Sequence, residues 1–247
     1  MINYLYDGSY YGFLCTVYHV EKSTAYPAGI HQNAVPYLSG LYQTKHIETN
    51  PVLGERMHKR IQEKMGRETT RYIYYANLAG ETNAPIWLYE YLLRGKALGL
   101  NLNKHIADNT VFRIHKLCQK VTGERHRLLG LIRFRLSNNG FYYSQISPDH
   151  RVLELMGQHF ASRLANQCWI IHDTKRNLAL IGQTGQYKIV PWHLDGNEYI
   201  EKDVIENAWQ KYFKNIAIPE RINPKCQANC MPRRYWDNLI EKPQEER

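Results

Sequence analysis

The junction Asn138-Asn139-Gly140, between two apolar runs, constrains the fold more than any other stretch of this sequence. Asn-Gly accepts positive φ, so a tight hairpin is the cheapest connection between His126–Leu136 and Phe141–Ser147, both rich in large apolar side chains. After Pro148-Asp149, the residues Val152, Leu155, Met156, His159, Phe160 and Arg163 recur every three or four positions, which predicts an amphipathic helix with Asp149 as its N-cap. Cys168–His172 and Leu178–Gly182 flank Asp173-Thr174-Lys175-Arg176 and predict a second hairpin with buried strands. Arg125 to Gly182 therefore reads β-β-α-β-β. The expected fold class is α+β, with a central antiparallel sheet carrying this unit and a helical subdomain.

The remaining chain is organised around that unit as a single domain over 1–247. A strand over Ile2–Tyr6 leads through Asp7-Gly8-Ser9, where Gly8 supplies a turn and Ser9 a cap, into a helix reaching Glu21. Pro and Gly punctuate Tyr26–Leu41, predicting loop with a short strand near Ile30, and Thr44–Glu48 reads as another strand. From Asn50 the period becomes helical: Leu53, Met57, Ile61 and Met65 recur every four residues up to Gly66, with Pro51 in the first turn. Thr69–Leu78, Pro85–Leu98 and Thr110–Val121 continue the pattern. Residues 50–107 thus read as a helical subdomain and 108–192 as a basic helix followed by the core unit. Residues 193–247 read as a helix from Glu201 to Tyr212 followed by a basic-aromatic tail. Tyr187–Trp192 adds a strand to the core.

Charge narrows the function. Thirty-two Lys and Arg against 23 Asp and Glu give a net charge of +9, which favours a polyanionic partner. No apolar run has the roughly 20 residues a spanning helix requires, and Met1-Ile-Asn-Tyr lacks a basic leader, so a cytoplasmic protein without membrane contact is expected. Five scattered cysteines fit reduced thiols, and Cys226 with Cys230 supplies two ligands where a metal site needs more. The sequence has no phosphate loop with Lys-Ser/Thr, no His-Glu-x-x-His and no Gly-x-Ser-x-Gly.

Basic residues concentrate between Arg113 and Arg135, where seven Lys and Arg meet one acid, Glu124. Strand alternation would place Arg127, Arg133 and Arg135 on one face, either solvated or turned to a phosphate backbone. His172-Asp173-Thr174-Lys175-Arg176 combines an acid, a general base and two cations at a strand end, and Asp149 and His150 repeat the Asp/His pair at the helix junction. These four, His172, Asp173, Asp149 and His150, are the catalytic candidates. The competing reading makes Asp173 a turn former, Asp149 a cap, and Lys175 and Arg176 phosphate-positioning groups. Met231-Pro-Arg-Arg-Tyr-Trp236 offers Arg233 and Arg234 to phosphates and Tyr235 and Trp236 to bases, or else anchors the tail.

Gly130-Leu-Ile-Arg-Phe-Arg135, Ser147-Pro-Asp-His150, Gln158-His-Phe-Ala-Ser-Arg163 and Trp169-Ile-Ile-His-Asp-Thr-Lys-Arg176 resemble a bacterial family of probable DNA metabolism proteins without an assigned reaction. Tyr4-Leu-Tyr-Asp-Gly-Ser9, Gly12-Phe-Leu14 and Met231–Trp236 extend the resemblance over nearly the whole chain. The resemblance implies a gene neighbour that is a radical-SAM protein acting on DNA, and related copies fused to a uracil-DNA-glycosylase-type domain. It therefore implies a DNA-binding accessory protein in repair or modification. An iron–sulfur cluster and S-adenosylmethionine are expected in the partner and no cofactor in this chain, which lacks a three-cysteine cluster. Two alternatives stay open: a nuclease or base-processing enzyme working around His172–Arg176, and a scaffold that binds the radical-SAM protein.

Overall fold

A computed structural model describes residues 2–23, 25–32, 42–193, 204–216 and 218–241. The chain divides into two compact units, Met1–Thr122 and Gly123–Arg247. Both helices and strands contribute, and the fold is α+β. No helix among the described residues is long and apolar enough to cross a membrane.

The N-terminal unit is built on a three-stranded sheet that is wholly parallel, in the order β2 (Gly29–Gln32), β1 (Ile2–Tyr6), β3 (Gln43–His46). β1 is paired on both edges, and its Tyr4 and Tyr6 are buried. Helix α1 (Tyr10–Lys22) starts where Ser9 Oγ accepts the Gly12 N–H at 2.9 Å, and Asp7 locks that cap by accepting from the Ser9 N–H and hydroxyl. Helix α2 (Pro51–Met65) has the expected start, with Asn50 Oδ1 accepting the Leu53 N–H and Pro51 in the first turn. Its Met57, Ile61 and Met65 are buried, as their four-residue spacing requires. Gly66 ends it at φ 86°, a left-handed value that a side chain would strain. Helices α3 (Arg67–Leu78) and α4 (Ala84–Leu98) complete this layer, with a 3-10 turn over Gly99–Lys104.

Helix α5 (Asn109–Leu131) is where structure and sequence reading differ most. The run His126–Leu131, expected in a strand, is its last two turns; only Arg135–Leu136 (β4) remains extended. The reason is periodicity. Val111, Ile114, Leu117, Cys118, Val121 and Leu128 are all buried at helical spacing, and Glu124 fills the place in that row where an apolar residue would stand.

The C-terminal unit carries a five-stranded sheet in the order β4, β5 (Tyr142–Ile146), β6 (Trp169–Asp173), β7 (Leu178–Gln183), β8 (Gln186–Pro191). The Asn-Gly hairpin joins β4 to β5, with Gly140 at φ 79°. β5 and β6 run parallel, so the sheet is mixed; the expectation of a central antiparallel sheet does not hold in either unit. A helical crossover reverses the chain between β5 and β6, which makes a parallel pair the available outcome. The crossover is shorter than expected. Asp149 lies upstream of a 3-10 turn at Leu153–Leu155 and of helix α6 (Gly157–Arg163), and caps neither.

Helices α7 (Val204–Ile216) and α8 (Pro224–Cys230) and a 3-10 segment over Arg233–Asn238 complete the C-terminal unit. The expected loop at 33–41, residues 201–203 of the expected helix and the tail beyond Glu241 lie outside the described residues.

Candidate nucleic-acid interface

The C-terminal unit gathers three segments far apart in sequence around one buried carboxylate. Glu124, 1% exposed, accepts the backbone N–H of Asp149 at 2.9 Å, that of His150 at 2.7 Å and the Tyr235 hydroxyl at 2.6 Å. These bonds hold the 147–150 loop and the Arg233–Asn238 segment to the side of α5. Charge-assisted bonds of this kind are the strong ones; two of them fix the loop's backbone rather than its side chains, and the third fixes the Tyr235 hydroxyl. Burial and the facing Glu124 carboxylate both push the Tyr235 phenol above its ordinary value, so it stays a donor.

The Asp149 carboxylate, freed from any capping role, points outward and binds two cations: Lys175 Nζ at 2.7 Å and Arg234 Nε at 3.0 Å. Both cations are 46% exposed. The bonded Lys175 ammonium holds the Asp149 carboxyl below its ordinary value, with Arg234 and His150 acting in the same direction. Arg176 works inward. Its guanidinium donates to Asp173 Oδ2 at 3.0 Å, to the Pro148 carbonyl at 3.0 Å and to the Asp149 carbonyl at 2.7 Å. Ser147 and Thr174 join hydroxyls at 2.9 Å, tying the same loop to the β6–β7 turn.

The structure brings Asp149 and the backbone of His150 together with Lys175 and Arg176, and Arg234 and Tyr235 belong to the same cluster. Arg233 stacks its guanidinium over the Trp236 ring at 5.7 Å, and Trp236 Nε1 donates to the Met231 carbonyl.

His172 and Asp173 are not a dyad. Adjacent on β6, they face opposite sides of the sheet. His172 Nδ1 meets the Tyr143 hydroxyl at 2.7 Å, with Gln145 Nε2 donating to that same oxygen at 3.2 Å. Asp173 is fully buried on the other face, where burial pushes its carboxyl up, against the pull of Arg176. Its Oδ1 also accepts the Lys175 N–H at 3.1 Å, the bond of a turn-forming aspartate.

Arg127, Arg133 and Arg135 do not share a strand face, since Arg127 is on α5 and Arg133 lies between α5 and β4. Arg133 reaches the buried Glu241 through Nε at 2.7 Å and Nη2 at 2.6 Å. Arg135 is on β4 opposite Tyr143, beside a recess of about 40 Å³ that Arg133, Ser144 and Asp237 also line. Cys226 and Cys230 are exposed on α8. Among the described residues no three His, Cys, Asp or Glu side chains stand where one metal ion could hold them.

Sequence reasoning passed over Glu124. The available signal was an acid on the apolar row of α5, since a charge at a core position requires partners that satisfy it.

An α+β chain of two compact units, with a basic cluster organised on a buried glutamate, is the class these features define. The chain belongs to the family of the domain of unknown function DUF4130, which matches residues 82–241, more than half of its length. That match runs from just before α4 to Glu241 and takes in every residue of the cluster. No curated protein and no solved structure matches the chain.

Proposed function

We propose that this protein is a DNA-binding accessory factor in DNA repair or modification, and that Lys175, Arg234 and Arg233 engage the phosphate backbone. The observation that carries the reading is the Asp149 carboxylate with two half-exposed cations fixed to it. One negative charge orders two positive ones and leaves a net positive, outward-facing pair. Lysine keeps two ammonium donors for phosphate after bonding Asp149, and Arg234 presents a half-exposed, delocalised positive charge beside it. The protein's charge of +9 adds long-range attraction for a polyanion. Asp173 and Arg176, by contrast, are engaged with the hairpin and the 147–150 loop and serve the cluster by building it.

The radical-SAM partner remains part of the proposal on the strength of the sequence resemblance, with this chain presenting DNA to an enzyme that carries the iron–sulfur cluster and S-adenosylmethionine. The test is binding to fluorescent single- and double-stranded DNA, intact or carrying a uracil or abasic site, across a salt series. Affinity should fall steeply with salt. Lys175→Ala/Arg234→Ala should flatten the log–log slope by about two, one for each phosphate no longer neutralised. An unchanged slope and affinity in the double variant would remove the cluster from the interface. No binding at low salt would favour the scaffold reading.

A further inference from the structure

A different part of the molecule holds a pocket of another character. In the N-terminal unit, α1, α2 and α4 line a half-open cavity of about 500 Å³, within the range of about 300–1,000 Å³ usual for small-molecule sites. Its walls include Met57, Ile61, Met65 and Leu92, all buried and aliphatic. Gly95 contributes bare backbone; a Cβ there would come within 2.6 Å of Met65 Sδ. Among the described residues no aromatic ring lines the cavity, so a nucleobase would find no stacking surface from them. Methionines adapt their shape to a flexible guest.

The mouth is polar and predominantly cationic. Among the described residues, Arg60, Lys64 and Lys96 stand there with one acid, Glu21. Glu21 on α1 holds Arg60 of α2 at 3.5 Å and Lys96 of α4 at 3.0 Å, which fixes two cations from different helices over the opening. Lys64 makes no ion pair among the described residues and is exposed at the same rim.

We infer that this cavity binds an aliphatic carboxylate, a fatty-acid-like anion whose chain enters the aliphatic interior and whose head group meets Lys64 and the cations ordered by Glu21. The lining and the rim each select one half of such a molecule. An uncharged alkane would leave the cations unused, and a compact anion would leave the apolar walls wet.

The experiment is calorimetric titration of the full chain with hexanoate, octanoate and decanoate, each below its micellar concentration, and with decan-1-ol. One saturable site is expected, with affinity rising about four-fold per added methylene. Lys64→Glu, a surface change that leaves the interior intact, should weaken decanoate about five-fold while leaving decan-1-ol unchanged. Met57→Trp, which fills the interior, should abolish binding of both. Absence of saturable decanoate binding overturns the site, as does a Lys64→Glu variant that remains folded by circular dichroism and binds decanoate as the parent does.

Discussion

Tyr235 donates its hydroxyl to Glu124 at 2.6 Å across 111 positions of sequence, inside the buried core of the C-terminal unit. Glu124 Oε1 also serves the Asp149 N–H, and Oε2 the His150 N–H. Tyr235→Phe removes one donor and leaves the carboxylate two others. It should lower stability by about 1–2 kcal/mol in urea unfolding. Glu124→Gln is worse, because one acceptor becomes an NH₂ facing an N–H, and about 2–4 kcal/mol should be lost. Equal effects of the two substitutions would show that the loop does not depend on the second oxygen.

Asp149 gives the cluster a pH dependence of definite sign. Its carboxyl is held below the ordinary value of 3.8 by Lys175 first and Arg234 after it. The stabilisation is therefore complete above that ordinary value and lost as pH falls through the lower folded value. Asp149→Asn should be less stable than the parent at neutral pH, and the gap should close in strong acid. Because the pair is largely exposed, the difference will be small and should shrink in high salt. A gap that persists below about pH 2 would assign it to something other than ionisation.

Arg133 separates two roles that the sequence leaves merged. It belongs to a run of basic residues, yet it binds a glutamate that is 6% exposed. Arg133→Ala should cost about 3–5 kcal/mol by stranding the Glu241 charge, and Arg133→Leu/Glu241→Leu should recover most of that loss. DNA affinity should be the same in the double variant as in the parent. A large drop in affinity with stability restored would return Arg133 to the interface.

Gly182 lies opposite Trp169 in the β6–β7 register, and a Cβ on it would come within 2.0 Å of the indole ring. The ring occupies the volume a side chain would need. Gly182→Ala should displace Trp169, lowering stability by about 1–3 kcal/mol and shifting its fluorescence. An unaltered emission spectrum would mean the ring has another rotamer at little cost.

Local chemistry was legible in the sequence and long-range chemistry was not. Asn50, Pro51 and Gly66 announce α2 at both ends because capping is decided within a turn of helix. Asn139-Gly140 announces a hairpin for the same reason, and the hairpin is there. The misreading of 126–131 arose where two periodicities compete. Leu128, Leu129, Leu131 and Ile132 are dense enough to satisfy a strand, and the helical row from Val111 is interrupted at Glu124, whose burial becomes intelligible only with Tyr235 beside it. The opposition of His172 and Asp173 was available from strand alternation alone. The joining of Asp149 to Lys175 and Arg234 was not, since it depends on a parallel crossover that no short-range pattern encodes.

The reach of the Glu124 hub also bears on how the protein is made. Translation at about 5–20 residues per second puts Tyr235 roughly 6–20 s behind Glu124 at the ribosome. Throughout that interval a carboxylate destined for the interior lacks its last donor, and the Asp149 pair lacks Arg234. The basic cluster is thus among the later features to mature on the nascent chain, so polyanion binding should be acquired only once Arg234 has emerged, after the sheet beneath it has closed.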